Sequence, residues 1–301
     1  VDFSNHDAFR QLTTGWRGYI ATDTLTKKQN AMNKGDEALI NLFQTKQNRL
    51  MKSISDNFCA ELYKDGSAAG RENCVEGLET FMTATTPAAA DRIATPNDSY
   101  AGLTTNLANQ GGAWSSGLTT FPNSTLATDW PDGQGDSEYD YLAPKLVNWS
   151  SSNWGTGSTL WEDNCWRVIS QAITWLTTTG GDDGMPDICV LAPNLFQGYK
   201  NHEEAIRRIS IPHKVASDLG FAGNVLNQDG CAIQSDFDCP VNTGYMLNTS
   251  HITISSMMPE LFWMEGPDKD PRSAWSWLWG TGFYGNVKYQ PKYTAKLKNY
   301  A

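Results

Sequence analysis

The chain has 301 residues, 40% hydrophobic and 11% aromatic, enough to bury a core in one large domain or two modest ones without disulfide staples. Its 33 acidic residues outnumber 23 basic ones, for a net charge of -10, which argues against nucleic acid as the main ligand because little phosphate charge can be neutralised. No apolar run reaches the roughly 18 residues of a membrane-spanning helix, and no signal-peptide pattern opens the sequence.

Residues 1–33 are polar, with Phe3, Phe9, Leu12, Trp16, Tyr19, Ile20 and Leu25 scattered without helical period. Tyr19 to Thr22 is the best strand candidate, and Thr24 to Asn33 is polar and turn-like. With too few apolar residues for a core of its own, this segment is expected to be an extended arm lying on other structure. After Gly35 comes a stretch of nearly thirty residues without Gly or Pro. Asp36 can cap it, and Leu39, Leu42, Phe43, Leu50, Ile54, Phe58 and Leu62 recur at helical spacing, so one long helix is predicted over 36–63. Its stripe is narrow and broken by Gln44 to Asn48, which leaves part of the helix for contacts outside its own core. Lys64, Asp65, Gly66 and Gly70 end it.

From Thr83 to Trp154 the composition turns to Thr, Ser, Asn, Gly and Pro with interspersed aromatics, which predicts a long irregular region with short strands, of functional or interface character. Helical rhythm returns over 160–178, where Trp161, Cys165, Val168, Ile169, Ala172, Ile173 and Leu176 share a face. Pro186 to Pro193 encloses a continuous apolar run that reads as a buried strand, and Asn194 can cap a helix continuing to Arg208. Residues 231–233, 244–247 and 251–254 read as strands. Trp275, Trp277 and Trp279 alternate, so in a strand they project from one face. Gly280 to Asn286 suggests a bulge or turn before a last strand over 287–297, and Lys288, Lys292, Lys296 and Lys298 read as a solvated, aggregation-resistant edge.

The residues that carry chemistry do not converge on a motif. His6, His202, His213 and His251 lack metal spacing, and the six cysteines, at 59, 74, 165, 189, 231 and 239, contain no Cys-x-x-Cys. They are expected to be free, mostly buried thiols, which suits a reducing compartment. There is no nucleophile elbow, phosphate-cradling loop or dinucleotide fingerprint. Asp236 with Asp238, and Asp268 with Asp270, read as turn formers rather than metal carboxylates. Glu203 and Glu204 face Arg207 and Arg208 as ordinary helix-surface pairs. No catalytic, cofactor-binding or metal residue is assigned. The twelve tryptophans support a competing reading as a carbohydrate-binding or glycoside-hydrolase protein, against anchoring of packing and subunit contacts.

Five segments, in order, resemble the major capsid proteins of tailed bacteriophages. They are Leu62 to Gly66 with Glu76-Gly77-Leu78; Tyr100 to Leu103 with Trp114 beyond; the 160–178 helix with Pro186 to Pro193 and Tyr199; Asp218 to Phe221 with Cys239-Pro240 and Gly244 to Asn248; and the aromatic tail from Trp275 to Tyr293. The resemblance implies an α+β, Hong Kong 97 (HK97)-like major capsid protein fold with a long spine helix and peripheral and axial domains. Residues 1–33 would be an arm or the end of an extended hairpin, 34–98 a peripheral domain with spine helix 36–63, 99–262 the axial domain, and 263–301 strands returning to the peripheral domain. It further implies a non-enzymatic virion protein, assembled in the bacterial host cytoplasm into pentamers and hexamers of an icosahedral shell. Portal, scaffold or decoration proteins would be partners, with packaged DNA held only weakly, no membrane and no cofactor. An encapsulin, a cellular shell of the same fold, is the rival within the fold. The family places both an arm and a long hairpin before the spine helix, so 33 residues predict that a segment before Val1 was cleaved or lies outside this chain.

Overall fold

The computed structural model describes residues 12–32, 36–94, 96–105, 142–207, 225–272 and 275–300. The chain forms two compact units, a spine unit of residues 15–79 and 253–288, and a central-sheet unit of residues 80–252 and 289–301 with the segment ending at Thr14. The helices are α1 (Lys27–Met32), α2 (Asp36–Glu61), α3 (Trp161–Gly180) and α4 (Pro193–Arg207). The strands follow as β1 (Arg17–Thr26), β2 (Ile93–Ala94), β3 (Ser99–Tyr100), β4 (Leu103–Thr104), β5 (Lys145–Asn148), β6 (Ile188–Leu191) and β7 (Val225–Gln228). They continue as β8 (Cys231–Ser235), β9 (Thr243–Leu247), β10 (Ile252–Ser256), β11 (Trp263–Lys269), β12 (Ser276–Tyr289) and β13 (Thr294–Lys298).

In the spine unit, α2 has 26 residues and is about 39 Å long at 1.5 Å per residue. Leu50, Ile54 and Phe58 form its buried stripe; the expected cap at Asp36 and the stripe positions Leu39 and Phe43 lie outside the described side chains. The stripe packs on a sheet ordered β1-β12-β10, with β11 also paired to β12. Leu50 meets Leu25 and Trp279, and the Phe58 ring meets Phe283 edge-on at 5.1 Å between centroids. Residues 24–32 differ from the turn expected of them, and Asn33 lies outside the described residues. Thr26 and Gln29 form a capping box, in which the Thr26 hydroxyl accepts from the Gln29 N–H at 3.4 Å and the Gln29 side chain accepts from the Thr26 N–H at 3.3 Å, and this starts α1.

The end of α2 is closed by glycines. A Cβ on Gly77 would lie 2.5 and 2.6 Å from the Glu61 and Leu62 oxygens, and one on Gly66 would lie 2.5 Å from the Val75 oxygen. Two backbone segments therefore cross in contact, and Leu78 N–H donates to Leu62 at 2.7 Å, satisfying a carbonyl at the helix end. Asn286 of β12 locks the crossing, accepting from Glu76 N–H at 3.2 Å and donating to the Gly15 oxygen at 2.9 Å.

The expected turn over 280–286 is absent. β12 runs unbroken for 14 residues. Its glycines answer to neighbours in space: a Cβ on Gly282 would meet the Trp263 ring at 2.6 Å, and one on Gly285 would strike the Ser255 carbonyl. Trp277 and Trp279 share a strand face as predicted, while Trp275 lies just before the strand.

The central-sheet unit carries a seven-stranded mixed sheet ordered β2-β5-β13-β9-β6-β8-β7, parallel at β13/β5 and β6/β8. The predicted face of α3 is buried through Cys165, Val168, Ile169, Ala172, Ile173 and Leu176, in one core with Leu195, Phe196 and Tyr199 of α4 and with Cys189, Ile233, Met246 and Leu297 of the sheet. Trp161 Nε1 donates to the Leu195 oxygen at 2.7 Å and ties the two helices. Asn194 is not the cap: Pro193 opens α4, and Asn194 instead bonds Asn242. The last strand starts at Thr294 rather than Val287, and it joins β5 and β9 in this sheet rather than the strands of the spine unit. That corrects the expected edge lysines. Lys296 is buried between two paired strands, its Nζ donating to the Met82 oxygen at 3.3 Å, whereas Lys288 and Lys298 are exposed. Most of the irregular 83–154 region lies outside the described residues, as do 208–224 with the motif Asp218 to Phe221.

All six cysteines are free thiols, four of them buried. Burial pushes Cys165 and Cys231 from the ordinary 9.0 up to about 12, and raises Cys189 well above it. Raised thiol values mean the unfolded chain loses its protons first, so stability falls as pH rises above the unfolded value and through the folded one. Urea unfolding is expected to give a lower unfolding free energy at pH 10.5 than at pH 8, by up to about 1.4 kcal/mol per pH unit for the fully buried Cys189 and by less for Cys165 and Cys231. At the helix end, Gly77→Ala is expected to lower the unfolding free energy by about 3 kcal/mol or more, since backbone must move to admit the methyl, while Gly70→Ala, whose site is open, serves as the contrast for strain at positive φ alone.

Candidate functional site

Among the described residues, no three His, Cys, Asp or Glu side chains converge to hold a metal ion. His251 stacks face to face on Tyr293 at 3.7 Å, His202 sits on α4, and His6 and His213 lie outside the described residues. Asp236 accepts from the Asp238 N–H at 3.2 Å, and Asp270 accepts from the Arg272 N–H at 2.8 Å and the Ser276 hydroxyl at 3.2 Å. Asp236 and Asp270 thus take the turn roles read from the sequence, whereas Asp268 lies within β11, opposite Leu278, where strand pairing replaces the expected turn. Of the pairs Glu203/Arg207 and Glu204/Arg208, only the Glu203 side chain is described.

The tryptophans divide by environment. Trp149, Trp154, Trp161, Trp175 and Trp279 are buried, and Trp154 Nε1 donates to the Asn148 oxygen at 3.0 Å. They anchor packing. Arg92 stacks 5.0 Å from the Trp154 ring centre; burial, then Arg167, holds its guanidinium below the usual value. Tyr19 is raised above the ordinary 10.0 by burial first, then by Glu61, Cys74 and Cys59, in keeping with a phenol packed against Phe283 at 5.8 Å. These shifts follow from packing and assemble no acid–base pair.

The described residues present two open clefts and several exposed apolar side chains outward. In the spine unit, Lys27, Lys28 and Ala31 of α1 with Trp275 and Trp277 line an open cleft of ≈ 560 Å³. Ile20, Ile254, Met257 and Met258 are exposed in the same unit. In the central-sheet unit, Asp163, Trp166, Arg167, His202 and Glu203 line a second cleft of ≈ 540 Å³. The loop from Asp236 to Asn242 carries Phe237 at 90% exposure and Val241 at 75%. Sequence reasoning took this loop only as a turn; the available signal was a bulky apolar residue between two turn-forming aspartates.

No family model matches the sequence, and no curated protein sequence matches it. Solved structures do match. The capsid asymmetric unit of cyanophage A-1(L) superimposes with a TM-score of 0.55 at 12% identity, covering 94% of this chain and 77% of that one. The capsid of cyanophage P-SCSP1u gives 0.48 at 13% identity over 99% and 80%. The holo-SrpI encapsulin complex from Synechococcus elongatus gives 0.45 at 9% identity over 94% and 74%. Likeness at these identities speaks to the fold, and the first structure carries it. With its long helix packed on one sheet and a seven-stranded mixed sheet under two helices, the chain has the α+β fold of the Hong Kong 97 phage coat type.

Proposed function

We propose that this chain is the major capsid protein of a tailed, double-stranded DNA bacteriophage, a structural rather than catalytic protein that self-assembles into the pentamers and hexamers of an icosahedral virion shell. The observation that carries the reading is the coat fold of the described residues, with a superposition that covers 94% of this chain. The spine unit would be the peripheral domain and the central-sheet unit the axial domain. This moves the boundaries expected from sequence, since β13 pairs within the central sheet.

The mechanism is geometric. Identical copies associate through heterologous contacts that close into rings. Each contact can be weak because many act together. Exposed apolar side chains in both units, Ile20 and Met257 in one and Phe237 and Val241 in the other, are the surface such contacts would bury. The net charge of -10 fits a wall that holds packaged DNA only weakly. Portal, scaffold or decoration proteins would be further partners, and assembly would take place in the host cytoplasm.

Native mass spectrometry across a range of protein concentrations tests this. Species of five and six copies are expected, growing with concentration, and a 33.3 kDa monomer at every concentration would overturn the reading.

A further inference from the structure

We propose that the loop joining β8 and β9 is a docking knob that inserts Phe237 into the tryptophan–lysine cleft of a second copy of this chain. This contact presupposes the self-assembly reading above and assigns residues to one of its interfaces.

The knob is held rigidly. Asp236 N–H donates to the Leu191 oxygen at 3.2 Å, Thr243 N–H to the Pro240 oxygen at 3.1 Å, and the Cys239 thiol to the Thr243 oxygen at 3.4 Å. Trp149 Nε1 donates to the Asn242 oxygen at 3.4 Å, and Asn242 N–H donates to Asn194 at 3.4 Å. A turn needs none of its tip residues to be apolar, yet this one holds a phenylalanine almost wholly in solvent, and Val241 of the same loop is exposed as well. A knob already fixed in shape loses little conformational entropy on docking, so burial of its ring is retained as affinity.

Charge selects the receptor. Phe237 lies between Asp236 and Asp238, so the knob is acidic as well as apolar. The cleft beside α3 and α4 presents Asp163 and Glu203, which oppose those carboxylates, and its Arg167 is already engaged, Nη1 donating to the Trp154 oxygen at 2.6 Å. The cleft of the spine unit presents Lys27 and Lys28 around Trp275 and Trp277, and Lys269 stands opposite Trp277 in the sheet register. Lys27 Nζ lies 4.3 Å from the Trp275 ring centre, and its N–H donates to the Trp275 oxygen at 2.7 Å, so the basic group and the aromatic wall are fixed together. Trp275 remains 68% exposed. A phenylalanine flanked by carboxylates complements this wall of indoles and ammonium groups in both shape and sign. Because knob and cleft are different surfaces, the contact is heterologous and propagates around a ring.

The test compares the protein concentration needed for half-assembly, by light scattering, in the wild type and in Phe237→Ser, Asp238→Lys, Lys28→Glu and the Asp238→Lys/Lys28→Glu pair. Thermal unfolding of each variant checks the fold, which these surface positions leave intact. Phe237→Ser is expected to raise that concentration about tenfold or more. Each charge change should raise it by a smaller factor, and the paired reversal should restore it towards wild type. A wild type that assembles while Phe237→Ser assembles equally well overturns the knob and leaves the shell reading standing. Charge changes that weaken assembly singly but are not restored as a pair overturn the assigned receptor. A wild type that never associates overturns both.

Discussion

The crossing of two backbones beneath the end of α2 is the constraint on which the spine unit depends. Residues 61–66 and 75–77 approach so closely that only glycine fits at Gly66 and Gly77. That contact satisfies a carbonyl that a helix terminus otherwise leaves open, through the Leu78 N–H. It also sets the position of Glu76, whose backbone is held by Asn286 and whose carboxylate pairs with Arg17 at 3.3 Å. Strands β1 and β12 are thereby tied to the helix end, and Leu50 and Phe58 of the buried stripe meet Trp279 and Phe283.

The central-sheet unit meets a different constraint, the burial of polar groups in a mixed sheet. Asn148 at the end of β5 donates to the Asp91 oxygen at 3.1 Å and accepts from the Ser150 hydroxyl at 2.8 Å. Asn164 on α3 donates to the Ser158 oxygen at 2.9 Å. Lys145 and Lys296 are both buried, with Nζ donating to backbone carbonyls, Ala143 and Met82, at 3.3 Å. Such bonds offset the desolvation of buried polar atoms and hold a unique arrangement.

The elements whose apolar pattern is complete within their own segment were legible in the sequence. The face of α3 was readable because its stripe packs without interruption, and β6 because two prolines bracket an apolar run. The length of α2 followed from the absence of Gly and Pro. The continuity of β12 did not follow, because Gly282 and Gly285 look locally like turn residues and their cause, Trp263 and Ser255, is distant in sequence. Lys296 was misread for the same reason: its burial depends on pairing with β5 and β9. Thr26 and Gln29, by contrast, form a capping box at a spacing visible in the sequence, within a segment whose polarity reads as a turn. As for a site, the sequence pointed to none; the one local signal was Phe237 set between the turn-forming Asp236 and Asp238, and its 90% exposure is a property of where the chain packs.

Cryo-electron microscopy of particles purified without denaturation tests the central claim most directly. The account predicts closed shells of uniform size, built of five- and six-copy capsomers in which α2 and the seven-stranded sheet are recognisable in every subunit. Uniform single subunits, with no closed particles under any condition, would contradict it.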